Sequence, residues 1–86
     1  MYLHIGSGNM LRTDSIVGVF DLDNTSQSHI TRKYLSAAEK NGEVINAAED
    51  IPKSFIVCRD GRGMRVYLSQ LSTQTLLSRS RSEFGV

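Results

Sequence analysis

The sequence predicts a small α+β domain, in which a largely antiparallel β-sheet is packed by two helices. Short segments rich in β-branched and aromatic residues are separated by turn clusters, which is typical of antiparallel strands. Two longer segments carry helix boundary signals instead, with Gly42 placed to end the first helix and Ser72 to begin the second. We expect residues 1–86 to form a single domain.

The first third of the chain is predicted to form three strands. Tyr2 to Ile5 ends at the turn cluster Gly6-Ser7-Gly8-Asn9, after which Met10 to Arg12 can return as an antiparallel partner. Ser15 to Leu22 is partly apolar on both faces, so we expect this strand in the interior of the sheet. Gly18 within it indicates a bulge or a close neighbour.

The first helix is predicted to run from a serine cap, Ser26 or Ser28, to about Asn41. Gly42 fits the position after the helix, where a left-handed backbone is favoured. The apolar side chains that would pack on the sheet are Ile30, Tyr34, Leu35 and Ala38. Residues 43–46 follow as a short edge strand.

A hairpin is predicted for residues 54–69, in which Gly61-Arg62-Gly63 forms a three-residue loop with glycine at the left-handed position. The loop length sets the register of its two strands, Ser54 to Asp60 and Met64 to Ser69. The predicted pairs are Asp60 with Met64, Arg59 with Arg65, Cys58 with Val66, Val57 with Tyr67, Ile56 with Leu68 and Phe55 with Ser69.

This register brings three arginines together at the hairpin tip. Arg59 and Arg65 face each other, with Arg62 in the loop between them. Like charges directly opposite each other are unfavourable alone, but three guanidinium groups beside glycine amides suit phosphate oxygens. The alternative is a solvated tip, because polar and basic residues commonly blunt exposed strand ends.

The second helix is predicted to begin after Ser72 and to end at about Arg81. Ser72 is placed as the N-cap, and Leu71 and Leu76 on either side of it form a hydrophobic staple. Arg79 and Arg81 fall in the last turn, where cations complement the helix dipole. Phosphate contact is the alternative role for these two arginines.

Charge and composition limit the class of protein. Residues 1–50 contain four Lys or Arg and seven Asp or Glu, a net charge of −3, whereas residues 51–86 contain six and two, a net charge of +4. This asymmetry points to an anionic partner or to electrostatic self-assembly. No apolar run approaches the roughly 18 residues of a membrane span, and a signal peptide is not evident. Cys58, the one cysteine, favours a cytoplasmic location.

Residues 16–25 resemble the first motif of the haloacid-dehalogenase-like phosphatases, an apolar strand followed by Asp21-x-Asp23-x-Thr25. In that family the first aspartate accepts the phosphoryl group and the second acts as acid or base, with magnesium. The family also requires a larger parallel sheet, a later lysine and a second acidic pair, which this chain lacks. We therefore interpret Asp21 and Asp23 as a strand end and a turn, and predict no enzymatic activity.

No metal or cofactor site is predicted. His4 and His29 have no cysteine or carboxylate at metal-ligand spacing. Cys58 has no neighbouring base in the sequence. Gly6 to Leu11 lacks the third glycine of a dinucleotide-binding loop.

Five blocks of the chain resemble the extracellular-matrix regulatory proteins of the RemA and RemB family of Gram-positive bacteria, with the RemB branch closest. The blocks are Met1 to Gly6, Ile16 to Asp21, Thr31 to Leu35, Ile51 to Val57, and Tyr67 to Ser69 followed by Thr75 to Arg79. Their order and spacing are specific, and they run from end to end. The resemblance implies a small cytoplasmic regulator of biofilm-matrix genes.

The resemblance also implies a mode of action. The RemA branch is known to bind DNA through arginines on a ring-like oligomer, whose protomer is similar to the LytTR DNA-binding domain, and to activate transcription. Those arginines lie just before the strand that begins here near Lys53. In this chain that segment, residues 48–53, is acidic except for its last residue. The DNA contacts of that branch therefore do not transfer directly.

We predict an oligomeric regulator that binds DNA. Its candidate DNA-binding residues are Lys53, Arg59, Arg62, Arg65, Arg79 and Arg81. Leu77, which is offset from the helix face of Leu76, is the candidate oligomer interface. The alternative is a self-assembling scaffold that binds no DNA, in which the acidic half of one protomer contacts the basic half of the next. No membrane or small-molecule partner is expected.

Overall fold

The computed structural model describes residues 2–22 and 29–83, with the backbone alone at residues 29–31 and 81–83. The predicted serine caps of the first helix lie outside the described residues. The elements are β1 (Tyr2–Gly6), β2 (Asn9–Arg12), a 3-10 turn (Thr13–Ser15), β3 (Ile16–Asp21), α1 (His29–Lys40), β4 (Val44–Asn46), β5 (Ser54–Asp60), β6 (Gly63–Ser69) and α2 (Thr73–Glu83).

The described strands form two sheets. β1 and β2 make an antiparallel hairpin, and the other strands pair in the order β3-β5-β6-β4. Within the larger sheet β4 and β6 are the parallel pair, and the remaining pairs are antiparallel. This arrangement confirms the predicted α+β class, and the edge strand expected at residues 43–46 is present as β4.

The four-stranded sheet is covered on both faces. The β1–β2 hairpin and α2 pack on the face that carries Ile56 and Cys58, which we call the α2 face. α1 packs on the opposite face, the α1 face, which carries Phe55 and Val57. Successive side chains of a strand point to opposite faces, so a strand covered on both sides is apolar throughout. This explains the uninterrupted burial of β5 from Ser54 to Cys58.

β3 lies at an edge of the sheet, which corrects the prediction that it is an interior strand. Its Ile16 and Val19 pack against the core of the α2 face, whereas Val17 and Phe20 are exposed, so its apolar pattern does not require two strand neighbours. The register with β5 shifts between Ile16 and Gly18, and this bulge leaves Val17 61% exposed. An irregular edge is less able to pair with another chain.

Gly18 shows both features predicted for it, a bulge and a close neighbour. A Cβ atom at Gly18 would lie only 2.8 Å from Cε2 of Phe20, because the Phe20 ring covers the Gly18 backbone. The same ring stacks on Phe55, with centroids 5.0 Å apart and planes 19° from parallel. The absence of a side chain at Gly18 therefore allows Phe20 to lie flat along the sheet.

The β1–β2 hairpin has the predicted turn and is tied to the larger sheet. Ser7 and Gly8 adopt left-handed backbone, with φ of 50° and 75°. The buried Ser69 hydroxyl donates a hydrogen bond of 2.7 Å to the Ile5 carbonyl, across 64 residues of sequence. A polar group buried without a partner is costly, so this bond helps to fix β1 against the end of β6.

α1 ends at the glycine predicted from the sequence. Gly42 has a φ of 71°, and its N–H donates to the Glu39 carbonyl over 3.1 Å. The Glu43 N–H donates to the Ala38 carbonyl over 2.9 Å, which completes a Schellman motif. The Glu43 carbonyl then accepts the Val66 N–H over 2.8 Å. The C-terminal end of α1 therefore lies near the first half of β6.

α2 begins as predicted. The Ser72 hydroxyl accepts the Thr75 N–H over 3.1 Å, which is an N-cap hydrogen bond. Leu71 and Leu76 belong to the same core cluster, as expected for a hydrophobic staple. In the described part of the chain, no helix is both long enough and apolar enough to cross a membrane.

Candidate nucleic-acid interface

The β5–β6 hairpin differs from its predicted register by one residue. Its loop consists of Gly61 and Arg62 alone, and Asp60 pairs with Gly63. Gly63 does adopt a positive φ, 123°, but as the first residue of β6 and not within the loop. The Asp60 carboxylate accepts the Arg62 N–H over 2.7 Å, and this hydrogen bond closes the shorter loop.

The shorter loop separates two arginines that were predicted to face each other. Arg65 pairs with Cys58, on the α2 face, whereas Arg59 pairs with Met64, on the α1 face. The predicted cluster of three tip arginines is therefore wrong, since a slip of one residue reverses the faces. Burial favours the observed register because it places two apolar pairs beneath α1, Val57 with Val66 and Phe55 with Leu68.

The arginines near the tip also differ in their electrostatic environment. Arg65 forms an ion pair with Asp60, with 3.8 Å between Nε and Oδ2. Arg59 and Arg62 are exposed, and no carboxylate of the described residues lies within 4.0 Å of either guanidinium group. We call Arg59 and Arg62 the tip pair. Their charges are available to a partner, whereas the charge of Arg65 is partly compensated.

The remaining predicted cations lie elsewhere. Lys53 precedes β5 at the end remote from the tip, six residues from Arg59, which is about 20 Å of extended chain. Arg79 is exposed on α2, which packs against β1 and β3. Arg81 belongs to α2, and its side chain lies outside the described residues. The six predicted cations therefore do not form one patch.

Three exposed cations that were not predicted as binding residues lie on α1. Arg32, Lys33 and Lys40, together with Ser36 and Ala37, line a shallow concavity of about 510 Å³. We call these five residues the α1 basic face. The sequence did contain the signal for it, because the five recur at one-turn spacing on the side of the helix away from its apolar stripe.

An apolar groove of about 400 Å³ lies between α2, β1 and β3. We call it the α2 groove, and its apolar lining consists of Leu3, Ile16, Val19, Leu76 and Leu77. Leu76 is buried, whereas Leu77 is 54% exposed at the side of the groove. The structure thus places the predicted interface residue Leu77 on the surface, next to further apolar surface.

The loop before β5 presents an apolar side chain between charged ones. Its backbone is held by the Glu49 N–H, which donates to Gln70 Oε1 over 2.7 Å, and by the Ile51 N–H, which donates to Asp50 Oδ1 over 2.8 Å. Ile51 is 78% exposed. This acidic loop differs in charge from both the tip pair and the α1 basic face.

Cys58 is buried in the core on the α2 face. Burial raises the pKa of the Cys58 thiol above its ordinary value of 9.0, a hydrogen bond with the Ser15 side chain lowers it, and the Asp60 carboxylate raises it. The net effect is a raised pKa, which keeps the thiol protonated at neutral pH. The arrangement suits a packing role and not a nucleophile.

The structure adds nothing to the phosphatase interpretation. Asp21 ends β3 with its side chain half-buried, and Asp23 lies outside the described residues. His4 is exposed on β1. Among the described residues, no group of three or more His, Cys, Asp or Glu side chains is arranged to hold a metal ion.

Comparison with known proteins identifies the family. Residues 2–79 match the family model described as RemA-like, extracellular matrix regulatory protein A-like. The chain is also 30% identical over 86 residues to the Bacillus subtilis (strain 168) protein named Extracellular matrix regulatory protein B, covering 100% of this chain and 98% of that relative. The resemblance predicted from the sequence blocks is thus confirmed, and it is to regulators, not to enzymes. The chain belongs to the RemA-like family of extracellular matrix regulatory proteins.

Proposed function

We propose that this protein regulates the expression of extracellular-matrix genes by binding DNA as a homo-oligomer in the cytoplasm. The observation that carries the proposal is the tip pair. Arg62 lies in the short hairpin loop and Arg59 lies near the end of β5, and neither side chain has a carboxylate partner among the described residues. Guanidinium groups without a carboxylate partner can bind phosphate oxygens, which they contact in bidentate geometry.

The tip pair is proposed to contribute to the affinity for DNA and not to the recognition of particular bases. Contacts from arginine to phosphate position a protein on the duplex, and they release counterions, so binding weakens with salt. Sequence preference then comes from the spacing of several tips in an oligomer and from the shape of the DNA. The name of the family, which is that of a regulator, is consistent with such a role.

Self-association is proposed from two complementary surfaces. The α2 groove leaves Leu77 exposed beside other apolar residues, and Arg79 is exposed on the same helix. The acidic loop offers an exposed Ile51 beside the carboxylates of Glu49 and Asp50. An acidic loop with an exposed apolar residue and an apolar groove on a helix with an exposed arginine are complementary in charge and polarity. Contacts of this head-to-tail kind can close into a ring.

The test of DNA binding is a titration of a fluorescently labelled duplex across a range of salt. The double variant R59A/R62A is expected to bind more weakly than the unmodified protein and to lose about 1.8 from the slope of log affinity against log salt, because each phosphate contact contributes about 0.9. R12A is the matched control, since Arg12 is already paired with Asp14 over 3.0 Å. Equal affinity and slope in all three proteins would exclude the tip pair as the DNA surface.

The second candidate function is a self-assembling scaffold that binds no DNA. The partial neutralisation of Arg65 by Asp60 and the acidic loop favour it, because both reduce the positive potential available to a duplex. Its oligomer would depend on contacts between acidic and basic surfaces, so raised salt would lower the oligomer mass. Mass measurements at low and high salt, together with the duplex titration, separate the two functions.

A further inference from the structure

We propose that the α1 basic face is a second DNA-binding surface of this protein, in which Arg32, Lys33 and Lys40 contact the phosphates of duplex DNA. This inference rests on the proposed DNA binding and extends it from the hairpin tip to a helix. The DNA-binding residues predicted from the sequence all lie after residue 52. The cations of the α1 basic face, in contrast, belong to the first half of the chain, whose net charge is negative.

The orientation of α1 is the first support. Ala38 is buried and Leu35 half-buried against the sheet. At about 100° per residue, Lys33 and Lys40 point to nearly the opposite side of the helix from these two residues. The exposed side of α1 therefore carries three cations, with the exposed Glu39 at its edge beside Arg32, and no carboxylate of the described residues lies within 4.0 Å of these cations.

The size of the face is the second support. Arg32 and Lys40 are eight residues apart, which corresponds to about 12 Å along a helix axis. Laid across the major groove of B-DNA, which is about 12 Å wide, a helix face of this length spans the distance between the two phosphate walls. Cations at the two ends of the face can thus reach phosphates on both walls, while Ser36 and Ala37 between them are small enough to allow close approach.

The position of α1 relative to the hairpin tip is the third support. Arg59 lies on the α1 face of the sheet. α1 ends near the middle of β6, where the Glu43 carbonyl accepts the Val66 N–H over 2.8 Å, and β4 then runs parallel to β6 away from the tip. Lys40, in the last turn of α1, and Arg59 therefore lie on the same side of the sheet, with the end of α1 beside the middle of the hairpin. One duplex can contact both surfaces.

The composition of the concavity favours DNA over a protein partner. Protein interfaces usually centre on large apolar or aromatic anchors. The α1 basic face has no such side chain at its centre, since it consists of three cations, Ser36 and Ala37. A surface of this kind gains its affinity from charge, and charge dominates the contacts that proteins make with the phosphate backbone.

The test is a titration of a labelled duplex of mixed sequence with the full chain and the triple variant R32A/K33A/K40A, between roughly 50 and 200 mM salt. We expect the variant to lose about 2 to 3 from the slope of log affinity against log salt and to bind at least tenfold more weakly at the low-salt end. The charge-conserving variant R32K/K33R/K40R should retain the slope, and circular dichroism should show that all variants keep their helices.

A single substitution at the centre of the face provides a second test. A37E places a carboxylate between the cations on an exposed helix position, and we expect it to weaken duplex binding, whereas A37Q should not. An unchanged slope in the triple variant, with R59A/R62A still defective, would refute the inference and leave the proposed function intact. A loss of association with another protein without a change in the duplex slope would also refute it. If the unmodified chain binds no duplex at low salt, the proposed function itself fails.

Discussion

Asp60 and Arg65 form an ion pair on the α2 face of the β5–β6 hairpin, with 3.8 Å between Oδ2 and Nε. Asp60 also accepts the N–H of Arg62 over 2.7 Å, so one carboxylate both closes the loop and partly neutralises a nearby arginine. Arg59 lies on the opposite face and has no such partner among the residues that the structure describes. The positive charge of Arg65 is thus partly neutralised, whereas that of Arg59, six residues earlier in the sequence, is available to bind an anion.

The first prediction follows from this difference. R59A is expected to lower the slope of log duplex affinity against log salt by about 1, the effect of one lost phosphate contact, whereas R65A should change it by much less. Fluorescence anisotropy with the same duplex measures both. A larger loss in R65A than in R59A would contradict the assignment of Arg59 to the binding surface.

The second prediction concerns the packing of Gly18. G18A is expected to displace the Phe20 ring from the backbone and to lower the free energy of unfolding by about 1 kcal/mol, mainly through the lost stacking on Phe55. In an F20A background the same glycine substitution should cost less, because the ring that it displaces is absent. Chemical denaturation of the four proteins measures this double-mutant cycle, and additive effects would show that Gly18 and Phe20 are not coupled.

The third prediction concerns self-association through the α2 groove. L77D places a charge beside Leu76 and Leu3, so we expect it to lower the oligomer mass by light scattering without unfolding the protomer. Q74D is the matched control, since Gln74 is exposed on α2 and does not line the groove. An L77D protein with unchanged mass would place the interface elsewhere.

The fourth prediction is a pH dependence due to Cys58. Its pKa is raised in the folded protein, chiefly by burial, so the thiolate form is less favourable in the folded state than in the unfolded state. The stabilising effect is complete below the ordinary thiol pKa of 9.0 and is lost as the pH rises through the folded pKa. We therefore expect the free energy of unfolding to decline above about pH 9 in the unmodified protein and to decline less steeply in C58A. If the free energy of unfolding declined equally in both proteins above pH 9, Cys58 would not be the cause of the decline.

Local signals in the sequence were sufficient for most element boundaries. The turn at residues 6–9, the cap at Ser72 and the C-terminal glycine at Gly42 depend on the backbone preferences of a few neighbouring residues. The structure contains all three where they were predicted. The family was likewise evident from short blocks of sequence and is confirmed by comparison.

Strand position and register depended on contacts that are remote in sequence. A strand that is apolar on both faces can be interior or can lie at an edge with some of its apolar residues exposed, and β3 is of the second kind. The sequence of the β5–β6 hairpin is compatible with a loop of two residues and with a loop of three residues. The burial of Val57 and Val66 beneath α1 favours the shorter loop and separates Arg59 from Arg65.

The sequence by itself therefore determined the α+β class, the local turns and caps, the family and the surplus of cations in the second half of the chain. The tertiary structure decided which cations share a surface, because that depends on strand register and on the face against which each helix packs. Register is set by apolar burial between distant segments, and a change of one residue moves a guanidinium group to the other side of the sheet. For this reason the tip pair became visible only in the folded chain, which also showed that the one-turn spacing of the α1 basic face in the sequence corresponds to an exposed surface.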